Sequence, residues 1–207
     1  MDAKTSELIF ASYLESHSIH FERDFHVVGR KNVDFKITAL AGTALCDVKE
    51  VHDSRVDSSS RIDAYTHIRE DLKDLRKKFG SSKPAYPVVL VTMNFSNNFF
   101  TAHTVVRAMY GDIGAAFFEE GRDEIHHLTR GNASMTRKTN TSISGILVFD
   151  CASANHAYFS NEFSEIKLPS NYFPNATEYD VRRNSGEAVL VKLSKLMFWK
   201  CDQIRKR

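Results

Sequence analysis

Near the start of the chain, apolar residues fall at helical spacing. Leu8, Ala11 and Leu14 recur every third position, with Ile9, Phe10 and Tyr13 widening the stripe, so Thr5–His17 is predicted to be a helix. The period then drops to two. Val33, Phe35 and Ile37 alternate with Asp34, Lys36 and Thr38, which predicts a strand over Val33–Ala39 with one buried face. Phe21–Val28 and Ala44–Val51 read as strands on either side of it, and an Ala41-Gly42 turn makes the second and third an antiparallel hairpin. A polar loop, Asp53–Ser60, leads into Arg61–Phe79, where Ile62, Tyr65, Ile68, Leu72, Leu75 and Phe79 step by three or four. Gly80 is the expected stop, and Lys77 and Lys78 suit the negative end of that helix. Tyr86–Thr92 is then almost continuously apolar, as a strand buried on both faces is. Strand, helix and buried strand form a crossover, so the third and fourth strands are expected to run parallel.

The second half is patterned less clearly. Phe99–Tyr110 reads as a helix, Gly114–Glu119 as a short strand and Ile143–Phe149 as a longer one. Glu120–Ser142 is polar, carries Arg122, Arg130, Arg137 and Lys138, and reads as an exposed loop or hairpin. Ala188–Trp199 is apolar enough to be buried and fits strand or helix equally. No repeat, low-complexity tract or Pro/Gly linker divides the chain. The expectation is one α/β domain over residues 1–207, a mixed central sheet flanked by helices, with its core at about 5–94 and further strands in an extension at 95–207.

Length and composition suit that domain: 207 residues are enough for a real core, and the apolar and charged fractions are those of an ordinary globular protein. A net charge of +2 excludes a wholly basic chromatin-type chain but leaves room for one basic face. Cys46, Cys151 and Cys201 are odd in number and far apart, which argues against a disulfide framework or a zinc knuckle. The N-terminal residues lack the apolar core of a signal peptide, and no apolar run has the length of a membrane span, so a cytoplasmic location without membrane contact is expected. The sequence does not select between a monomer and a homodimer.

The chemistry concentrates on the hairpin. Residues two apart on a strand share a face, so Asp47 and Lys49 point the same way, and Asp34 sits on the partner strand with its apolar neighbours Val33 and Phe35 turned the other way. Two carboxylates on adjacent strands can share one hard cation such as Mg2+ or Mn2+, and a lysine beside them can hold a water or a phosphate. The motif alone is cheap. Asp/Glu-x-Lys occurs five times, at Asp2, Asp34, Asp47, Asp71 and Glu165. Only two copies have an upstream acid on a strand: Asp34 with Asp47/Lys49, and Asp24 with Asp34/Lys36. The first is followed by a helix and a buried strand, the second by a hairpin turn, and that context selects the first. The bland alternative is a solvated sheet face with a cross-strand ion pair.

Val33-Asp34-Phe35, Cys46-Asp47-Val48-Lys49-Glu50 and the helix Arg61–Phe79 together resemble the restriction-endonuclease-like, or PD-(D/E)XK, nuclease superfamily, over roughly Thr5–Asn94. The resemblance implies an αβββαβ core and magnesium-dependent hydrolysis of DNA or RNA, with Asp34 and Asp47 as catalytic acids and Lys49 as the lysine. It implies a metal held by Asp34, Asp47 and the Val48 carbonyl, and a further glutamate from the first helix, with Glu7 the candidate and Glu15 second. Val33 stands where the family's proline is usual, and Asp47 where glutamate is commoner. The alternative function is a catalytically inactive relative that binds nucleic acid or protein. Arg69, Arg130, Arg137 and Lys138 are the candidate phosphate contacts, although the acids interleaved along Arg61–Phe79 also allow Arg69 a plain solvated role. His126-His127 with Asn132 lacks a third ligand for a second metal site, and Phe95, Phe99 and Phe100 read as core before base-stacking platforms. No phosphate-binding Gly-rich loop, Gly-x-Ser-x-Gly elbow or His-Glu-x-x-His helix is present.

Overall fold

The computed structural model describes residues 3–27, 31–52, 65–79, 84–96, 102–114, 129–131, 133–151, 154–184 and 187–192. Helix α1 (Ala3–Ser16) ends in a Schellman cap built without glycine. Ser18 takes φ of 55°, its N–H donates to the Glu15 carbonyl at 3.0 Å, and the Ile19 N–H donates to the Leu14 carbonyl at 2.9 Å. Leu14 and Ile19 are both buried in one cluster, the apolar contact that accompanies such a cap.

Strands β1 (His20–Phe25), β2 (Val33–Ala39) and β3 (Gly42–Val51) form an antiparallel meander. The β2–β3 loop is Leu40-Ala41, one residue earlier than the pattern suggests. Gly42 opens β3 at φ of 128°, a conformation that glycine adopts without steric cost. Helix α2 (Tyr65–Phe79) then crosses over to β4 (Val88–Asn94), which pairs with β3 in parallel as expected. Ile68, Leu72, Leu75 and Phe79 of α2 are fully or almost fully buried, each contributing about 1.5–3 kcal/mol by leaving water. All seven residues of β4 are buried, as its continuous apolar run predicts.

Helix α3 (Ala102–Tyr110) follows, with the short pair β5 (Asp112–Gly114) and β6 (Thr129–Gly131). Strands β7 (Ile143–Asp150), β8 (Asn155–Ser160), β9 (Thr177–Asn184) and β10 (Glu187–Lys192) complete an eight-stranded mixed sheet in the order β1-β2-β3-β4-β7-β8-β9-β10. The chain is thus of the α/β class. Residues 188–192, left open between strand and helix, lie in β10, while 193–199 fall outside the described residues. So do 115–119 of the expected strand, residues 61–64 at the start of the second helix, Phe99, Phe100, His126, His127 and Asn132. Among the described residues no helix is long and apolar enough to cross a membrane.

The sheet divides two cores. On one face Leu45, Val88, Leu90, Ile146 and Val148 pack with α2 and α3. On the other, Phe35, Ile37, Cys46, Val48, Val89, Val91 and Leu147 pack with α1 and with Tyr172 and Phe173. Those two aromatics belong to 161–176, a segment outside the named helices and strands. Tyr172 donates from its hydroxyl to the Gly42 carbonyl at 3.0 Å, and the Tyr13 hydroxyl donates to the Pro174 carbonyl at 2.7 Å.

Candidate metal centre

The β2–β3 ladder runs from Ala39↔Gly42 to Phe35↔Cys46, and Asp34 and Asp47 are the residues that follow its last pair on the two strands. There a side chain takes over a backbone partner: the Val48 N–H donates to Asp34 Oδ2 at 2.7 Å. A strand residue's carbonyl points to the same edge as its N–H, so the Val48 carbonyl lies on the β2 side of β3.

Asp47 is fully buried and lies on the face covered by α2. Its Oδ1 accepts a hydrogen bond from Lys78 Nζ, near the end of that helix. Its Oδ2 lies 3.3 Å from Lys49 Nζ, an ion-pair distance, yet has no aligned hydrogen bond. Burial and the negative charge of Asp47 push the Asp34 carboxyl up to about 6, against the pull of the Val48 N–H, Lys78 and Lys49. Burial pulls the Lys49 ammonium down, but Asp47, Asp34 and Asp71 outweigh it, and the ammonium is held above the usual lysine range. Cys46, on the opposite face, is no nucleophile at neutral pH: burial, then Asp47 and Asp34, push its thiol well up.

Four residues that the sequence did not assign to the site surround this pair. Lys78 is one. Asp71 is buried on α2 and acts on Lys49 through its charge, as Asp74 does from the surface. Positions 71, 74 and 78 are spaced i, i+3, i+7, one helix face laid over the acids. Thr92, next to Lys49 in the parallel β3–β4 register, is fully buried with its hydroxyl unpartnered. Thr92 and Asn94, two polar residues two apart in a buried strand, were the signal available for that row. For Lys78 the signal was only its seven-residue spacing from Asp71, hidden among many charges.

The residues fit a hard cation. Asp47 Oδ2 is a buried oxygen with spare lone pairs, and the Asp34 carboxyl beside it is raised by burial first and by the Asp47 charge second. Among the described residues no three His, Cys, Asp or Glu side chains converge at ligating distance. The protein's share of a coordination shell would therefore be two carboxylates and the Val48 carbonyl.

The other predicted residues do not join them. Glu7 is the clear correction: it pairs with Arg23 of β1 at 3.0 Å, and α1 packs on the face opposite Asp47. The i, i+3, i+4 stripe of α1 that buries Phe10, Ala11 and Leu14 there decides which way Glu7 turns. Glu15 is exposed on the same helix. Arg69 donates from Nη2 to the Arg107 carbonyl at 3.1 Å, tying α2 to the last turn of α3. Arg130 lies opposite Ile113 in the β5–β6 ladder. Arg137 and Lys138 are exposed in the turn between Thr136 and Thr139.

In comparisons with known proteins, no family model, no curated protein and no solved structure matches the chain.

Proposed function

We propose that the chain is a divalent-metal-dependent nuclease that hydrolyses phosphodiester bonds of DNA or RNA, built on a restriction-endonuclease-like core at about 5–94. The observation that carries the reading is the meeting of Asp34 and Asp47 on adjacent strands, with Lys49 two residues on and ion-paired to Asp47. The order α1-β1-β2-β3-α2-β4, with β3 and β4 parallel, supports it.

Asp34, Asp47 and the Val48 carbonyl would hold Mg2+ or Mn2+. A bound ion of this kind acidifies a coordinated water and offsets charge on a phosphoryl oxygen. Lys49, kept protonated by its three acidic neighbours, is a donor in this reading: it binds a phosphate oxygen or orients the attacking water. Arg137 and Lys138 are proposed to contact the backbone of the nucleic acid away from the reacting bond.

Cleavage of labelled single- and double-stranded DNA and RNA, with Mg2+, Mn2+ or chelator, tests the reading. Asp47→Asn and Lys49→Ala are expected to lower the rate by at least about a hundredfold while far-UV circular dichroism stays unchanged. Wild-type rates in folded Asp47→Asn protein would sink it.

One observation favours a second reading, a nuclease-like fold that binds without turnover: both oxygens of Asp47 already face ammonium groups. Metal titration separates the two, because in a non-catalytic module Asp34→Asn leaves divalent-ion binding unchanged.

A further inference from the structure

Lys49 and Lys78 reach Asp47 from different kinds of element. Lys49 is held by the strand, two residues from the acid it faces. Lys78 comes from the last turn of α2, its side chain is 19% exposed, and its Nζ sits directly on Asp47 Oδ1. A long, flexible stem at a helix end can move without disturbing the sheet. The helix's terminal carbonyls also offer the ammonium a second resting place, since a cation is favoured at that end.

The charges beneath α2 make the position consequential. Asp34, Asp47 and Asp71 act on Lys49, joined by Asp74 from the surface, while Lys78 answers Asp47 and Asp34. A divalent ion on Asp47 would share one carboxylate with the Lys78 ammonium. Two cations at about 4 Å, one of them doubly charged, repel by far more than thermal energy even in a fairly polar medium. Both cannot stay.

We propose that Lys78 is the resident counter-ion of the metal site: its ammonium holds Asp47 when no ion is bound, is displaced when a divalent cation enters, and so sets the affinity for that cation. The proposal rests on the metal site of the nuclease reading. Lys78 is a positioning residue here, and its effect is on ion binding before any chemistry.

Mn2+ binding to the full-length protein, followed by electron paramagnetic resonance without nucleic acid, tests it. Lys78→Gln is expected to bind Mn2+ about tenfold more tightly than wild type, and Lys78→Arg about as wild type does. In the wild-type protein, acylation of Lys78 followed by mass spectrometry is expected to speed up on Mn2+ saturation, and this measurement decides the matter if Lys78→Gln fails to fold. Unchanged or weaker Mn2+ binding in folded Lys78→Gln, or Lys78 acylation indifferent to Mn2+, overturns the counter-ion role. That result leaves the nuclease reading intact provided the wild type binds Mn2+ and cleaves. If neither wild type nor Lys78→Gln binds the ion, the metal site itself is wrong and the counter-ion role falls with it.

Discussion

Asp34 carries two opposed demands. Its carboxyl is pushed up to about 6 by burial and by Asp47, so the folded protein binds that proton more tightly than the unfolded chain does. Stability from this group is therefore present in full near pH 4 and is lost as pH rises through about 6. Asp34→Asn keeps an oxygen for the Val48 N–H and removes the charge. In urea denaturation without metal at pH 7.5 it should stabilise the fold by about 1 kcal/mol, less than the whole shift would give because the site keeps contact with water, and the gain should vanish by about pH 4. Metal binding runs the other way. An ion needs the ionised carboxylate, so affinity for Mn2+ should fall as pH drops through about 6, with an inflection that Asp34→Asn abolishes. Strand alternation put Asp34 and Asp47 on one face with Val33 and Phe35 together on the other, whereas Val33 packs in the core under α2 and Phe35 in the core under α1. Nor could the sequence foresee that Asp34 would take a backbone N–H, because that depends on where the ladder gives way.

At the scale of elements, alternation and helical spacing identified β2, β3, α2 and β4, and the crossover rule supplied the parallel pairing of β3 with β4. Glu7 was misplaced for a reason of the same kind. Its position on α1 was legible, but the face of the sheet that receives α1 is decided by Phe35, Ile37 and Cys46, which lie far along the chain. Close approach between strands is equally invisible in a pattern. Gly145 of β7 lies so near β8 that an added Cβ would stand 2.4 Å from the Phe159 carbonyl oxygen and 2.6 Å from the Tyr158 hydroxyl. Backbone cannot yield as a side-chain tip does. Gly145→Ala is expected to cost about 2–3 kcal/mol, read as a lower urea midpoint with an unchanged denaturant slope.

At the scale of the molecule, residues beyond the core expected at 5–94 help to cover its sheet. The apolar face of the β2–β3 hairpin meets Tyr172 and Phe173, and α1 is fastened through Tyr13 to Pro174. Nothing in residues 161–176 announces this role, since the segment has neither helical nor strand period. A fragment of residues 1–94 would leave Phe35, Ile37 and Ala44 partly bare and β4 without β7. It is expected to lack a cooperative urea transition and to expose apolar surface to a fluorescent dye, where the whole chain is expected to unfold cooperatively.

The Tyr172 hydroxyl bridges to Gly42 across 130 positions of sequence, and Tyr13 to Pro174 across 161. Closing such wide loops costs chain entropy before any contact rewards it, which makes folding slow. During synthesis the acid pair can be paired strand to strand early, but the hairpin that carries it stays unsealed until residues near 172 have left the ribosome. The cleavage proposed for this chain should therefore appear late, with the final third of the chain, and not when the last of the acids and lysines has been made.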